Sequence, residues 1–143
     1  MKKNYKQVIS YVIYILLFYL ILYLGAFYSY RIIEYSKSTF KHEPMVIYLT
    51  FFPIILGLLA ALPNLCLEIK KSGKWKMNWT KLIVIGVPSF LIGISLMYLS
   101  IETFLGLKII PDFLSFILVY DTPRILSGFI FGFIILDSIE KHN

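Results

Sequence analysis

A run of 24 residues without a charged side chain, residues 7–30, follows the basic start of the chain. About 20 apolar residues are enough for a helix to cross the hydrocarbon core of a bilayer. The run exceeds the roughly 7–15 apolar residues of a secretory signal, and residues 24–26 lack the small residue that a cleavage site needs at its outer position. The sequence therefore predicts an uncleaved transmembrane helix over residues 8–30.

The composition of the whole chain agrees with a membrane protein. Of the 143 residues, 59% are hydrophobic and only 15% are charged. Soluble domains have about 45–50% apolar and about 25% charged residues. This difference excludes a disordered chain and a disulfide scaffold, and it argues against a soluble enzyme of this length. We expect one membrane domain over residues 1–143.

Two more apolar runs, residues 45–67 and 82–101, are long enough to cross a bilayer. The first contains Pro53 and Pro63, which predict a kinked span, because neighbouring helices satisfy the carbonyls that proline leaves free in lipid.

The last apolar segment is interrupted by the polar sequence Asp-Thr-Pro-Arg at residues 121–124. One interpretation is a single helix over residues 113–136 with an ion pair near the middle of the membrane, where one charge costs about 2.5–3.5 kcal/mol. The other starts a helix with Asp121 or Thr122 as N-cap and Pro123 in the first turn, which is a common pattern at helix starts.

We favour the second interpretation, because it keeps both charges near water or in a cavity lined by protein. It predicts a helix over residues 122–139, about 27 Å long, and an interfacial or re-entrant piece at residues 109–120. The predicted fold is an all-α, polytopic integral membrane helical bundle with four transmembrane helices, over residues 8–30, 45–67, 82–101 and 122–139.

The positive charges predict the orientation of these spans. With four spans and the N-terminus inside, the inner segments hold nine lysines: Lys2, Lys3, Lys6, Lys70, Lys71, Lys74, Lys76, Lys81 and Lys141. The outer segments hold four positive residues: Arg31, Lys37, Lys41 and Lys108. Since Lys and Arg are enriched in cytoplasmic loops, we expect a cell-membrane protein with both termini in the cytoplasm. The net charge of +6 is explained in this way, and we expect no nucleic-acid binding.

Asp121 and Arg124 are the candidate functional polar pair. Their spacing of three residues lets both side chains meet on one face of a helix. An ionisable residue at membrane depth is a functional hypothesis by default, so the pair could line a path for ions. The alternative is a helix cap with a local ion pair at the outer interface.

Gly128 and Gly132 form a GxxxG pattern, which lets a second helix approach closely. The neighbouring helix belongs either to this chain or to a partner. Trp75 and Trp79 lie among the lysines of residues 70–81 and predict interfacial anchors. The alternative for this basic loop is recruitment of anionic lipid or of an acidic partner.

The sequence contains few side chains of the types that act in catalysis or bind metals. Cys66 is the single cysteine, and the two histidines, His42 and His142, lie in separate polar segments, so no spacing typical of metal ligands exists. Serine–histidine catalysis is excluded because neither histidine falls in a span. We expect no catalytic residues, no cofactor and no metal site.

The sequence therefore favours a small non-catalytic multi-pass membrane protein. It would act as an accessory, immunity-type or subunit protein through helix–helix contacts, within the lipid bilayer, with another membrane protein or with itself. The alternative is a small homo-oligomeric transporter or channel with Asp121 and Arg124 lining the path. A membrane enzyme is the least favoured class, because the side chains it needs are absent.

Overall fold

The computed structural model of the protein describes residues 2–106 and 120–142, most of which are helical. The chain forms two compact units, Met1–Lys41 and His42–Asn143. The first is a single helix, α1 (Lys2–Thr39). The elements of the second are α2 (Glu43–Ile69), β1 (Lys74–Met77), α3 (Trp79–Lys81), α4 (Val87–Gly93), α5 (Ser95–Leu105), α6 (Asp121–Asp137) and β2 (Ile139–His142).

Helix α1 is longer than the predicted span of residues 8–30. Its 38 residues correspond to about 57 Å at 1.5 Å per residue. The helix continues beyond Tyr30 because the charged residues that follow are types that continue a helix well. The helix ends where the Thr39 hydroxyl donates to the carbonyl oxygen of Tyr35 at 2.7 Å. Phe40 then takes a left-handed conformation, with φ of 58°, which stops the helix.

The third apolar run forms a bent helix rather than a straight one. Helix α3 passes through a π-helical turn, Leu82–Gly86, into α4, and α5 then continues at an angle of 45°. Pro88 is the second residue after the π turn. Proline lacks an N–H group and clashes with the carbonyl four residues earlier, and a wider turn at this point relieves the clash.

Helices α2 and α6 make the most extensive contact of the second unit. They run parallel, because Ile54 lies against Gly128 and Gly132 and Asn64, further along α2, bonds to Asp137, further along α6. An ideal Cβ atom on Gly132 would lie 2.0 Å from the carbonyl oxygen of Ile54.

Gly57 is the reciprocal position on α2, since its Cβ atom would lie 2.0 Å from the carbonyl oxygen of Phe129. No side chain fits between the two backbones at either place. We call Gly57, Gly128 and Gly132 the glycine contact.

Helix α4 packs antiparallel to α6 on a different side of it. A Cβ atom on Gly93 would lie 3.1 Å from Cα of Gly128, and the rings of Phe90 and Phe131 are 4.8 Å apart. Helix α6 therefore contacts both α2 and α4. The buried apolar side chains of this unit, within the described residues, are four on α2 and one on α6: Val46, Ile54, Leu56, Ala61 and Ile134.

A two-stranded antiparallel sheet closes one end of this unit, so the fold is mostly helical with one short sheet that the sequence did not predict. Strand β1 pairs with β2 with Trp75 opposite Lys141 and Met77 opposite Ile139. The prediction of a helix over residues 122–139 was therefore wrong at its C-terminal end. Helix α6 stops at Asp137 because the backbone N–H of Asn78 donates a hydrogen bond to the carbonyl oxygen of Ser138 at 2.8 Å. The residues that follow Ser138 then pair with β1 in the sheet.

Two helices, Val8–Thr39 and Glu43–Ile69, are long and apolar enough to cross a membrane. The bent pair Trp79–Gly93 and Ser95–Leu105 is a third candidate if its two helices are taken as one. Helix α2 continues through both of its prolines. The piece predicted at residues 109–120 lies outside the described residues, apart from Tyr120.

The glycine contact makes a testable prediction. Gly132→Ala is expected to lower the free energy of unfolding by about 1–3 kcal/mol, because the added methyl group forces two backbones apart. The measurement is thermal unfolding of the protein in detergent micelles.

Gly86→Ala is the matched control, because its Cβ atom would meet only the side chains of Leu82 at 3.4 Å and Ile134 at 3.7 Å. We expect it to be neutral or stabilising by up to about 1 kcal/mol, the helix-propensity difference between alanine and glycine. Equal unfolding temperatures for the two variants would contradict the backbone contact.

Candidate functional site

The candidate site begins at the start of α6. Tyr120 is the N-cap residue in extended conformation, with φ of −87° and ψ of 129° and no side-chain cap bond. The helix starts at Asp121, so neither Asp121 nor Thr122 is the N-cap that the sequence predicted. Because the backbone is extended at Tyr120, helix α6 does not continue N-terminally through this residue, as a single helix over residues 113–136 would require.

Asp121 and Arg124 are brought together by the first turn of α6. The Nη2 group of Arg124 donates to Oδ1 of Asp121 at 2.6 Å. The partners differ in exposure: the side chain of Asp121 is 75% exposed, whereas that of Arg124 is 6% exposed. The carboxylate therefore reaches the surface, while the guanidinium lies inside the unit.

Arg124 belongs to a buried polar level of the unit. Within the described residues, its Nε atom has no hydrogen-bond partner, and neither do the buried hydroxyls of Thr50 and Ser95. Thr50 lies one turn before Ile54 on α2, and Arg124 lies one turn before Gly128 on α6, so the parallel contact sets both at one level. Nε can only donate and the hydroxyls can also donate, so this level suits an acceptor such as a carbonyl, a water or an anion.

Thr50 and Ser95 were missed by the sequence analysis. A single hydroxyl residue within an apolar run is common, and nothing in the pattern distinguishes one that is fully buried. The only usable signal was the position of Thr50 four residues before Ile54, on the stripe that α2 buries.

Gly128 and Gly132 lie on the same face of α6 as Arg124, at successive intervals of four residues. The structure fills this face from within the chain, with Pro53 and Ile54 of α2 against Gly128 and Ile54 against Gly132. The helix that packs against Gly128 and Gly132 is therefore α2 of the same chain.

The opposite end of α6 carries an ion-pair network that the sequence did not reveal. Asp137 accepts a hydrogen bond from Nδ2 of Asn64 at 3.0 Å and forms an ion pair with Lys81. The three residues come from α2, α3 and α6. A carboxylate that joins three helix ends fixes their relative positions, because charge-assisted hydrogen bonds are strong and directional.

Lys141 on β2 holds the C-terminal end of α2. Its ammonium group donates to the carbonyl oxygens of Ile69 and Lys71, each at 2.8 Å, and lies 4.7 Å from the ring centre of Trp75. The last carbonyls of a helix lack partners within the helix, and a cation there also interacts favourably with the helix dipole. Lys141 therefore acts as a C-terminal cap from a distant part of the chain.

The predicted interfacial anchors lie at this same end. Trp75 is 51% exposed, with part of its ring against Lys141, and Trp79 at the start of α3 is 63% exposed. Among residues 2–106 and 120–142, no group of three His, Cys, Asp or Glu side chains is arranged to hold a metal ion.

Comparisons with protein-family models, with curated proteins and with solved structures find no match for this chain. The class of protein that the fold defines is therefore a mostly helical chain with two or three helices suited to crossing a membrane.

Arg124 makes the second testable prediction. Arg124→Ala is expected to destabilise the protein by about 2–3 kcal/mol, because removal of a buried side chain leaves a cavity. Arg124→Met keeps most of the volume and is expected to cost less than about 1.5 kcal/mol. The measurement is the loss of thermal stability in detergent.

Asp121→Asn is the control from the exposed side of the pair and should change stability by less than about 1 kcal/mol. If Arg124→Met is as unstable as Arg124→Ala, then the charge of the guanidinium, and not its packing, holds this end of the unit together.

Proposed function

We propose that the protein is a small, non-catalytic multi-pass membrane protein that acts through helix contacts with another membrane component, as an accessory, immunity-type or subunit protein does. One observation carries the proposal: the backbones of α2 and α6 touch at Gly57 and Gly132. Such a contact leaves no room for a substrate or a path between these two helices. The apolar outer surfaces of the helices then remain as the surfaces through which the protein can contact another membrane protein.

We place the protein in the cell membrane with four spans, formed by α1, α2, the bent helix α3–α5, and α6. Helix α6 has 17 residues, about 25 Å at 1.5 Å per residue, which is close to the thickness of the hydrocarbon core. The sheet supports this topology, because it joins the lysine-rich residues 70–81 to Ile139–His142 at one end of the unit. By the positive-inside rule this end, and both termini, face the cytoplasm.

The partner contact is assigned to α1. This helix is a unit of its own, and its apolar circumference suits other helices as well as lipid. The glycine contact does not serve this purpose in the proposal, because α2 occupies it.

The proposal predicts that a second, different polypeptide accompanies the protein at a fixed ratio after gentle extraction and light crosslinking. Tyr19 and Tyr23 share one face of α1, and replacing both with Ala should remove the second polypeptide. Native mass spectrometry measures the ratio.

Ile83→Ala with Val87→Ala is the matched control, since these residues are an exposed apolar pair four residues apart in the other unit. Retention of the partner in both double variants would refute the role of α1. Absence of any second polypeptide from the wild-type protein would refute the accessory function.

A homo-oligomeric transporter or channel is the second candidate, and the burial of the Arg124 side chain, which is 6% exposed, favours it. Buried ionisable residues in membrane helices commonly mark ion paths. This candidate requires self-assembly at a defined copy number, and flux in proteoliposomes that is lost when Asp121→Asn is combined with Arg124→Gln.

The orientation is tested by cysteine labelling in a Cys66→Ser background, because Cys66 is exposed and would otherwise react. Phe40→Cys, at the end of α1, should react with an impermeant maleimide in intact cells. Ser72→Cys, in the loop after α2, should react only after the cells are permeabilised. The reverse pattern would place the termini outside.

A further inference from the structure

Six lysines gather where α2 and α6 end and α3 begins. They are Lys70, Lys71, Lys74, Lys76, Lys81 and Lys141. The positive-inside rule treats them as equivalent, but the structure divides them into two sets of three that differ in their surroundings.

Three of the lysines are engaged within the protein. Lys71 pairs with Glu68, Lys81 pairs with Asp137, and Lys141 donates to two carbonyls at the C-terminal end of α2. We call Lys71, Lys81 and Lys141 the paired lysines. Their charges are balanced by neighbouring protein groups.

The other three, Lys70, Lys74 and Lys76, are exposed, and we call them the free lysines. In the part of the chain that the structure describes, their ammonium groups take part in no ion pair or hydrogen bond. Because side chains alternate along a strand, Lys74 and Lys76 share the face of the sheet opposite to Trp75 and Lys141. Glu140, across from Lys76, supplies one carboxylate on that face.

We infer that the face of the sheet that carries Lys74 and Lys76, together with Lys70, binds the headgroups of anionic phospholipids in the cytoplasmic leaflet. The inference rests on the membrane placement proposed above. Its basis is charge complementarity: three unbalanced ammonium groups and one carboxylate form a net positive surface. The sheet lies where α2 and α6 end and α3 begins, which in the proposed placement is the level of the headgroups. The exposed Trp79 at that end is a residue that prefers this level.

The two sets of lysines allow a test with matched charge. One variant carries Lys→Gln at the three free lysines and the other carries Lys→Gln at the three paired lysines, so both lose three positive charges from the same end. The full-length protein in detergent micelles is titrated with phosphatidylglycerol and with zwitterionic phosphatidylethanolamine, and bound lipid is counted by native mass spectrometry.

The wild-type protein is expected to prefer phosphatidylglycerol. Each free lysine that is removed should weaken its binding about fivefold at low salt, and raised salt should weaken wild-type binding in the same direction. The variant of the paired lysines should keep the preference while losing thermal stability. If that variant does not fold, the single changes Lys74→Gln and Lys71→Gln provide the same comparison.

An equal decrease in phosphatidylglycerol binding in both variants, or no decrease in either, would overturn the inference. Loss of a co-purifying protein with unchanged lipid binding in the variant of the free lysines would assign the surface to an acidic protein and overturn it as well. Membrane retention after an alkaline wash is scored separately. If the protein is washed off, the membrane placement itself fails, which is distinguishable from the failure of the lipid site alone.

Discussion

The contact between the backbones of α2 and α6 is the constraint on which the second unit depends. In lipid, helices gain little from burying apolar side chains against each other, so association relies on close packing. Glycine at positions 57, 128 and 132 permits this packing. The close approach of the two helices brings Thr50 and Arg124 to one level and sets Asn64 beside Asp137. Helix α4 packs on the other side of α6. The buried polar level and the ion-pair network are thus both consequences of one close approach.

The sequence predicted those parts of the fold that depend on local composition. The uncharged runs located α1, α2 and the bent helix α3–α5, because apolar length alone determines whether a helix can span. The sheet could not be predicted, because Lys74–Met77 and Ile139–His142 are short, polar and more than 60 residues apart. Their pairing is decided by where the helices end.

The same distinction holds for the candidate site. The i, i+3 spacing of Asp121 and Arg124 was visible, since it is a property of one helix. The burial of Arg124 was not, because it depends on α2. The GxxxG pattern revealed a surface suited to close approach but not the helix that fills it. For Lys141, a tail residue in the sequence, only the fold shows that it caps a helix more than 70 positions earlier.

The parallel arrangement of α2 and α6 has a consequence for biogenesis. Two neighbouring parallel helices cannot be joined by a short turn, and here 51 residues separate Ile69 from Asp121. In the membrane placement proposed above, helix α2 would enter the bilayer with Gly57 facing lipid or the translocation machinery, and the contact with α6 would form only after α6 has been made. Assembly of this unit is non-local, so the interval before α6 arrives is when the half-made protein is most open to misassembly or degradation.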